Sequence, residues 1–163
     1  MASITSPTDT IPDLNYEYHT ITVDTIGQAS SNTFTCFLSQ PVKNVVQARL
    51  LAARINTTAA TEHCYVSIEQ LDSIFTDRAS NVYDGQASLS ILRGSFASLV
   101  KDASTTVTFK DDYPVVTQYI DPIRRIDRLN VTIRNEDGQT IERVGPNDKN
   151  FLIIRFVCRK PNL

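Results

Sequence analysis

Tryptophan is absent from the 163-residue chain, and methionine occurs once, histidine twice, cysteine three times and glycine five times. With only His19 and His63, any acid–base or metal site would have to be built from very few parts. The glycines (Gly27, Gly85, Gly94, Gly138, Gly145) are scattered, which excludes a phosphate-cradling loop or a dinucleotide fingerprint. Lack of tryptophan removes the usual stacking platform of sugar-binding sites. Cys36, Cys64 and Cys158 are odd in number and widely spaced among apolar neighbours, so they read as inert core thiols in a reducing compartment. There is no charge surplus either: sixteen Lys and Arg against eighteen Asp and Glu give −2, too little positive charge to neutralise a phosphate backbone. The most apolar run, Phe151-Leu-Ile-Ile-Arg-Phe-Val-Cys158, has eight residues with Arg155 among them, whereas a membrane-crossing helix needs about 20. No N-terminal segment joins a basic stretch to an apolar one, so no export signal is expected.

The motif search is equally bare. His63 and Cys64 are neighbours, and adjacent strand residues face opposite ways, so the pair is a poor metal site. Arg93-Gly-Ser95 lacks the second glycine of a nucleophile elbow. Asp137-Gly138 lacks the alternating ligands and the closing Glu of a calcium loop. Asn56-Thr-Thr58 and Asn130-Val-Thr132 are glycosylation sequons that matter only in a secreted chain. The residues therefore predict no catalytic group, no metal, no cofactor and no enzyme.

What the chain does have is alternation. Hydrophobic residues at 41% and charged residues at 21% are globular values, and a chain of this length buries about two-thirds of its unfolded surface without a staple. Residues 1–15, with Pro7, Pro12 and a run of Ser, Thr and Asp, read as a flexible arm ahead of one domain over 16–163. Period-2 segments predict strands over Tyr16–Val23, with a slip near His19, and over Phe34–Leu38, stopped by Pro41. Gln47 to Arg54 has helix-forming composition, yet Val46, Ala48, Leu50 and Ala52 share one parity and no capping box precedes them, which favours a strand. Further strands are expected over Cys64–Leu71, Ser88–Leu99, Thr105–Phe109 and Val115–Ile120, with a short helix around Ser73–Asp77.

Pro122 and the charges of Asp121–Asp127 predict an ordered connector. Leu129, Val131 and Ile133 then alternate up to a tight turn at Asn135-Glu-Asp-Gly138, where Gly138 takes a positive φ without steric cost. Thr140–Val144 forms the expected return limb, Gly145–Asp148 a second turn and Asn150–Arg159 the last strand. Eight or nine short strands without helical alternation predict an all-β sandwich or barrel, jelly rolls included.

The segment Ile120-Asp-Pro-Ile-Arg-Arg-Ile-Asp-Arg-Leu-Asn-Val-Thr-Ile-Arg-Asn-Glu-Asp-Gly138, with Asn150-Phe-Leu-Ile-Ile-Arg-Phe156 after it, resembles the C-terminal half of a known group. That group is the single jelly-roll capsid proteins, penton-type and minor, of large icosahedral double-stranded DNA viruses and virophages. Phe34-x-Cys-x-Leu38, Pro41-Val-Lys-Asn-Val45 and Tyr65-Val-Ser-Ile68 fit its first-half rhythm. The resemblance implies a single jelly-roll β-sandwich of about eight antiparallel strands. It implies a structural virion protein assembled in the host cytoplasm, as a vertex pentamer or minor capsomer. Its partners would be copies of itself, pentamer before trimer, and the major and other minor capsid proteins, with no nucleic acid and no membrane insertion.

Candidate contacts to neighbouring subunits are Ile11 and Leu14, in an arm expected to lie along a neighbour, and the cluster Arg124, Arg125 and Arg128 interleaved with Asp121 and Asp127. Asp137 and Gly138 form a structural turn. The competing reading is a non-enzymatic binding module, lectin-like or a fibre head, using Tyr83, Asp84 and Tyr113 on a ligand.

Overall fold

Among the described residues, alternating apolar side chains produce nine antiparallel strands: β1 Tyr16–Asp24, β2 Thr33–Asn56, β3 His63–Ile68, β4 Val82–Tyr83, β5 Gln86–Ala87, β6 Ala97–Val100, β7 Thr106–Phe109, β8 Val116–Arg134 and β9 Phe151–Arg159. They belong to a computed structural model that describes residues 15–30, 32–57, 61–73, 75–79, 82–83, 86–87, 94–101, 105–141 and 149–161. No helix occurs among the described residues. The stretch Gln47–Arg54 is strand, because Ala48, Leu50 and Ala53 are needed on an inner face and tertiary burial overrides the local helical preference.

Two long strands organise the topology. Residues 33–49 of β2 pair with β8, with Gln47–Arg49 opposite its first residues Val116–Gln118, whereas residues 45–54 pair with β9 on the other side and residues 53–56 with β7. Beyond them, β9 pairs with β1, β8 with β3, and β3 with β6. One four-stranded layer is thus β1, β9, the C-terminal half of β2, and β7. The other is the N-terminal half of β2, the later part of β8, β3 and β6. The chain changes layer within β2 and again within β8, and β1 approaches β2 on one side as β6 approaches β7 on the other. These layers belong to one curled, seven-stranded antiparallel sheet, which β2 and β8 fold into an all-β jelly-roll sandwich.

The layer changes explain two differences from the sequence expectations. Pro41 does not end its strand, nor is Asp121–Asp127 a connector, since both lie within continuous strands. Pro41 falls in the register shift between Phe37 and Val42, and Pro122 in the one opposite Val45–Gln47, where the missing amide hydrogen costs no ladder bond. Asn44, with φ at 55°, lies beside that second irregularity. The expected short helix at Ser73–Asp77 is instead a turn, in which the Thr76 amide donates to the Ser73 carbonyl and Ser73 bridges to Ser95. Of the strand expected over Ser88–Leu99, residues 88–93 lie outside the described residues and Ala97–Val100 is β6. The return limb is described only at Thr140, which bridges to Arg134, and at Ile141; 142–148 lie outside the described residues.

The core lies between the layers. Leu152, Ile154 and Phe156 of β9 project inward with Val23, Ala48 and Leu50, and meet Leu129, Val131 and Ile133 of β8 with Cys64, Val66 and Ile68 of β3. Each such large apolar side chain contributes about 1.5–3 kcal/mol on burial.

One end of the sandwich is closed by a buried polar clasp. Asn150 donates its Nδ2 to Asn32 Oδ1 at 3.2 Å and accepts the Asn56 amide on Oδ1 at 2.8 Å. Asn32 donates to the Ile141 carbonyl at 2.6 Å, and the Asn150 amide donates to Thr25 Oγ1 at 3.0 Å. The β1–β2 and β8–β9 connections and the end of β2 are thereby tied together.

The turn after β8 has Gly138 at φ 78°, with its amide donating to the Asn135 carbonyl at 2.9 Å while Asn135 Oδ1 accepts the Asp137 and Gln139 amides. Gly138→Val forces a β-branched residue into this left-handed position and is expected to cost about 1–2 kcal/mol. A thermal melt indistinguishable from the parent would contradict that role.

Candidate subunit interface

The three arginines singled out above lie on the solvent side of β8. Arg125 Nε stands 3.7 Å from Asp127 Oδ2 with both side chains exposed, an arrangement worth little in water. Arg124 and Arg128 are exposed and make no ion pair among the described residues, so the interleaved charges form one weak pair there. The strand register explains this: Arg125 lies opposite Lys43, and Arg128 opposite Phe37, which is 76% exposed. A basic strip with an aromatic edge results. Ile11 and Leu14 lie outside the described residues.

Large apolar side chains also stand in water elsewhere. Ile120 on β8 is 98% exposed, and Phe75, Ile26 and Val100 are exposed as well. Two grooves follow the sides where the layers meet. One, of about 240 Å³, runs between β1 and β2 beside Ile21, Val23, Phe37 and Leu38. The other, of about 190 Å³, lies beside Phe96, Tyr113 and Val115.

Of the residues named for ligand binding, Tyr113 alone has a described side chain. Tyr113 donates its hydroxyl to the Ser98 carbonyl at 2.8 Å and sets its ring edge-on to Phe109, 5.1 Å between centroids, which fastens the β7–β8 loop to β6. Asp84 lies outside the described residues, and Tyr83 belongs to the small β4–β5 pair.

His63 Nε2 is 3.2 Å from the Tyr65 hydroxyl on the outer face of β3, while Cys64 points into the core. Burial pushes the Cys64 thiol up to about 12 and the Cys158 thiol up to about 11, far from the thiolate that a nucleophile or metal ligand requires. No cluster of His, Cys, Asp and Glu able to hold a metal ion occurs among the described residues.

A carboxylate at the β3 turn provides a pH handle. Asp72 accepts the Ile68 amide at 2.7 Å and the Ser67 hydroxyl, and burial raises its pKa above the ordinary 3.8, against the pull of those bonds and of Arg134. The unfolded chain therefore releases this proton first, so the folded state loses stability as pH rises from about 3.8 through the raised value. Asp72→Asn is expected to gain on the parent in melting temperature between pH 3.5 and pH 7 (roughly the carboxylate range). A difference that stays constant over that interval would contradict the assignment.

Two features were missed in the sequence. The asparagine clasp is one. The other is Arg155, which is only 9% exposed although it stands on the outer face of β9. Its guanidinium carbon lies 5.7 Å from the Tyr18 ring centroid, and its buried Nε has no hydrogen-bond partner. Across the ladder Arg49 is already engaged by Asp111 at 2.9 and 3.0 Å. A lone Arg at an outward parity within the apolar run 151–158 is the signal that could have marked it.

No protein-family model matches this chain, and no curated protein matches it either.

Proposed function

We propose that the chain is a structural capsid subunit, forming the vertex pentamer or a minor capsomer of an icosahedral virion. The observation that carries the reading is the pair of exposed apolar side chains on the long strands, Ile120 and, opposite the exposed Arg128, Phe37, on a jelly-roll frame. Side chains of this size in water favour burial against another surface, and the edge strands β1 and β6 leave backbone groups open to a neighbour. The resemblance over residues 120–156 supports the same reading, with the major and other minor capsid proteins as further partners and the virion as the location.

Head-to-tail contacts whose rotation closes generate rings, and a fivefold ring is the preferred state. Native mass measurement at tens of micromolar (roughly 10⁻⁵ M, in the range of weak specific contacts) is expected to show a species of about 91 kDa, five chains of 18.2 kDa. A single 18.2 kDa species, alone and after addition of the other capsid proteins, would contradict it.

A further inference from the structure

Arg155 poses a specific electrostatic problem. Arg155 is nine-tenths buried as a residue, with a buried, unbonded Nε and an aromatic ring as its described contact, and it lacks the carboxylate that ordinarily offsets the loss of water. Its own sheet cannot supply one. From Tyr16 to Thr22, from Ile153 to Arg159 and from Gln47 to Ala52 the outward positions carry no Asp or Glu, against Arg49, Arg155 and Arg159. Asp111 is taken by Arg49. Directly opposite Arg155 stand Thr20 on β1 and Arg49 on β2, and around them the same face carries Tyr16, Tyr18, Ile153 and Val157. The fitting occupant is an extended segment with apolar side chains, a carboxylate and no cation.

Residues 1–14 have that composition: Ile4, Ile11 and Leu14 are apolar, Asp9 and Asp13 are acidic, and there is no Lys or Arg. Their point of entry is also adjacent. The Asn15 carbonyl accepts the Lys160 amide at 2.8 Å, so the segment joins the domain where β1 and β9 meet, at the Tyr16–Arg159 end of this face.

We propose that the outer face of β1, β9 and the C-terminal half of β2 is the docking site of residues 1–14 of this chain, with the Asp9 carboxylate seated on the Arg155 guanidinium. In this docking Ile11-Pro12-Asp13-Leu14, whose Pro and Asp suit the central positions of a type I turn, would reverse the chain towards the face. Asp9 then arrives level with Tyr16, about 7 Å along the strand from Tyr18, a gap that the Arg and Asp side chains span. Asp13 stays in the turn. The carboxylate completes a charge-assisted fork on Arg155 above the Tyr18 ring, and Ile4 and Ile11 cover the apolar positions. This docking is independent of the capsid reading.

Amide hydrogen exchange on the full chain tests it. In the parent, amides of residues 5–12 are expected to exchange at least about tenfold more slowly than in the free peptide. Asp9→Asn and Arg155→Gln should each return them to within about twofold of the free-peptide rate, and Asp13→Asn should not. Asp9→Arg combined with Arg155→Glu should recover the protection. Amides of β9 report whether the sheet survives Arg155→Gln; Asp9→Asn lies outside the sheet and carries the test if it does not. Protection that is constant on dilution assigns the docked segment to the same copy, and protection that falls assigns it to a neighbour's, either supporting the docking. Free-peptide rates in the parent, or protection that survives both Asp9→Asn and Arg155→Gln, would overturn it.

Discussion

Replacing Asn150 by Ala is expected to destabilise the protein by about 2–5 kcal/mol, the sum of two buried partners left without their bonds. Asn150 is 1% exposed, and its side chain serves the Asn56 amide on one oxygen and Asn32 Oδ1 through its nitrogen. Water cannot reach either group to replace it. The loss spreads further, because Asn32 in turn holds the Ile141 carbonyl, and the backbone of Asn150 is bonded to Thr25 in both directions. The β1–β2 and β8–β9 connections and the end of β2 therefore loosen together. For a domain of this size the melting temperature should fall by roughly 5–15 °C. Denaturant unfolding gives the free energy, and a cost under about 1 kcal/mol would mean that the clasp contributes little.

The second large effect concerns association. Phe37→Asp and Ile120→Asp place charges where apolar side chains now stand in water, 76% and 98% exposed. In the isolated chain such changes are nearly neutral, within about 0.5 kcal/mol, because no packing is lost. In an assembly that buries them, each forfeits about 1.5–3 kcal/mol of transfer energy and adds the cost of a buried carboxylate. The apparent dissociation constant of the oligomer should rise by about a hundredfold or more for the double variant, with an unchanged melting temperature of the monomer. Equal dissociation constants for parent and variant, measured by sedimentation, would remove these two residues from the interface.

Much of the fold was legible because strand periodicity is local. Leu129, Val131 and Ile133 alternate cleanly, and the turn that follows carries its own chemistry in Asn135 and Gly138. The all-β class follows from such segments. The continuity of β2 and β8 was not legible, since proline read from sequence is a strand breaker, and only the register reveals that Pro41 and Pro122 sit in irregularities where no amide is required. The asparagine clasp was hidden for a different reason. Asn32, Asn56 and Asn150 are far apart in the chain, and nothing local distinguishes a buried Asn from one in a surface loop. Arg124, Arg125 and Arg128 were found as a cluster, yet their partners depended on which strand lay opposite, and the strand opposite supplied Lys43 and Phe37 in place of carboxylates. Arg155 was seen only as an interruption of an apolar run, because its burial is set by Tyr18 on another strand.

The central claim is that this jelly roll is a building block of a capsid, and the most direct measurement is of the chain within purified particles. Quantitative mass spectrometry of the particles, with antibody labelling viewed by electron microscopy, gives its copy number and position together. The account predicts the chain as an integral component that resists salt washing, in multiples of five where it labels vertices. Its absence from washed particles, in an infection where the chain is abundant in the cell, would contradict the account.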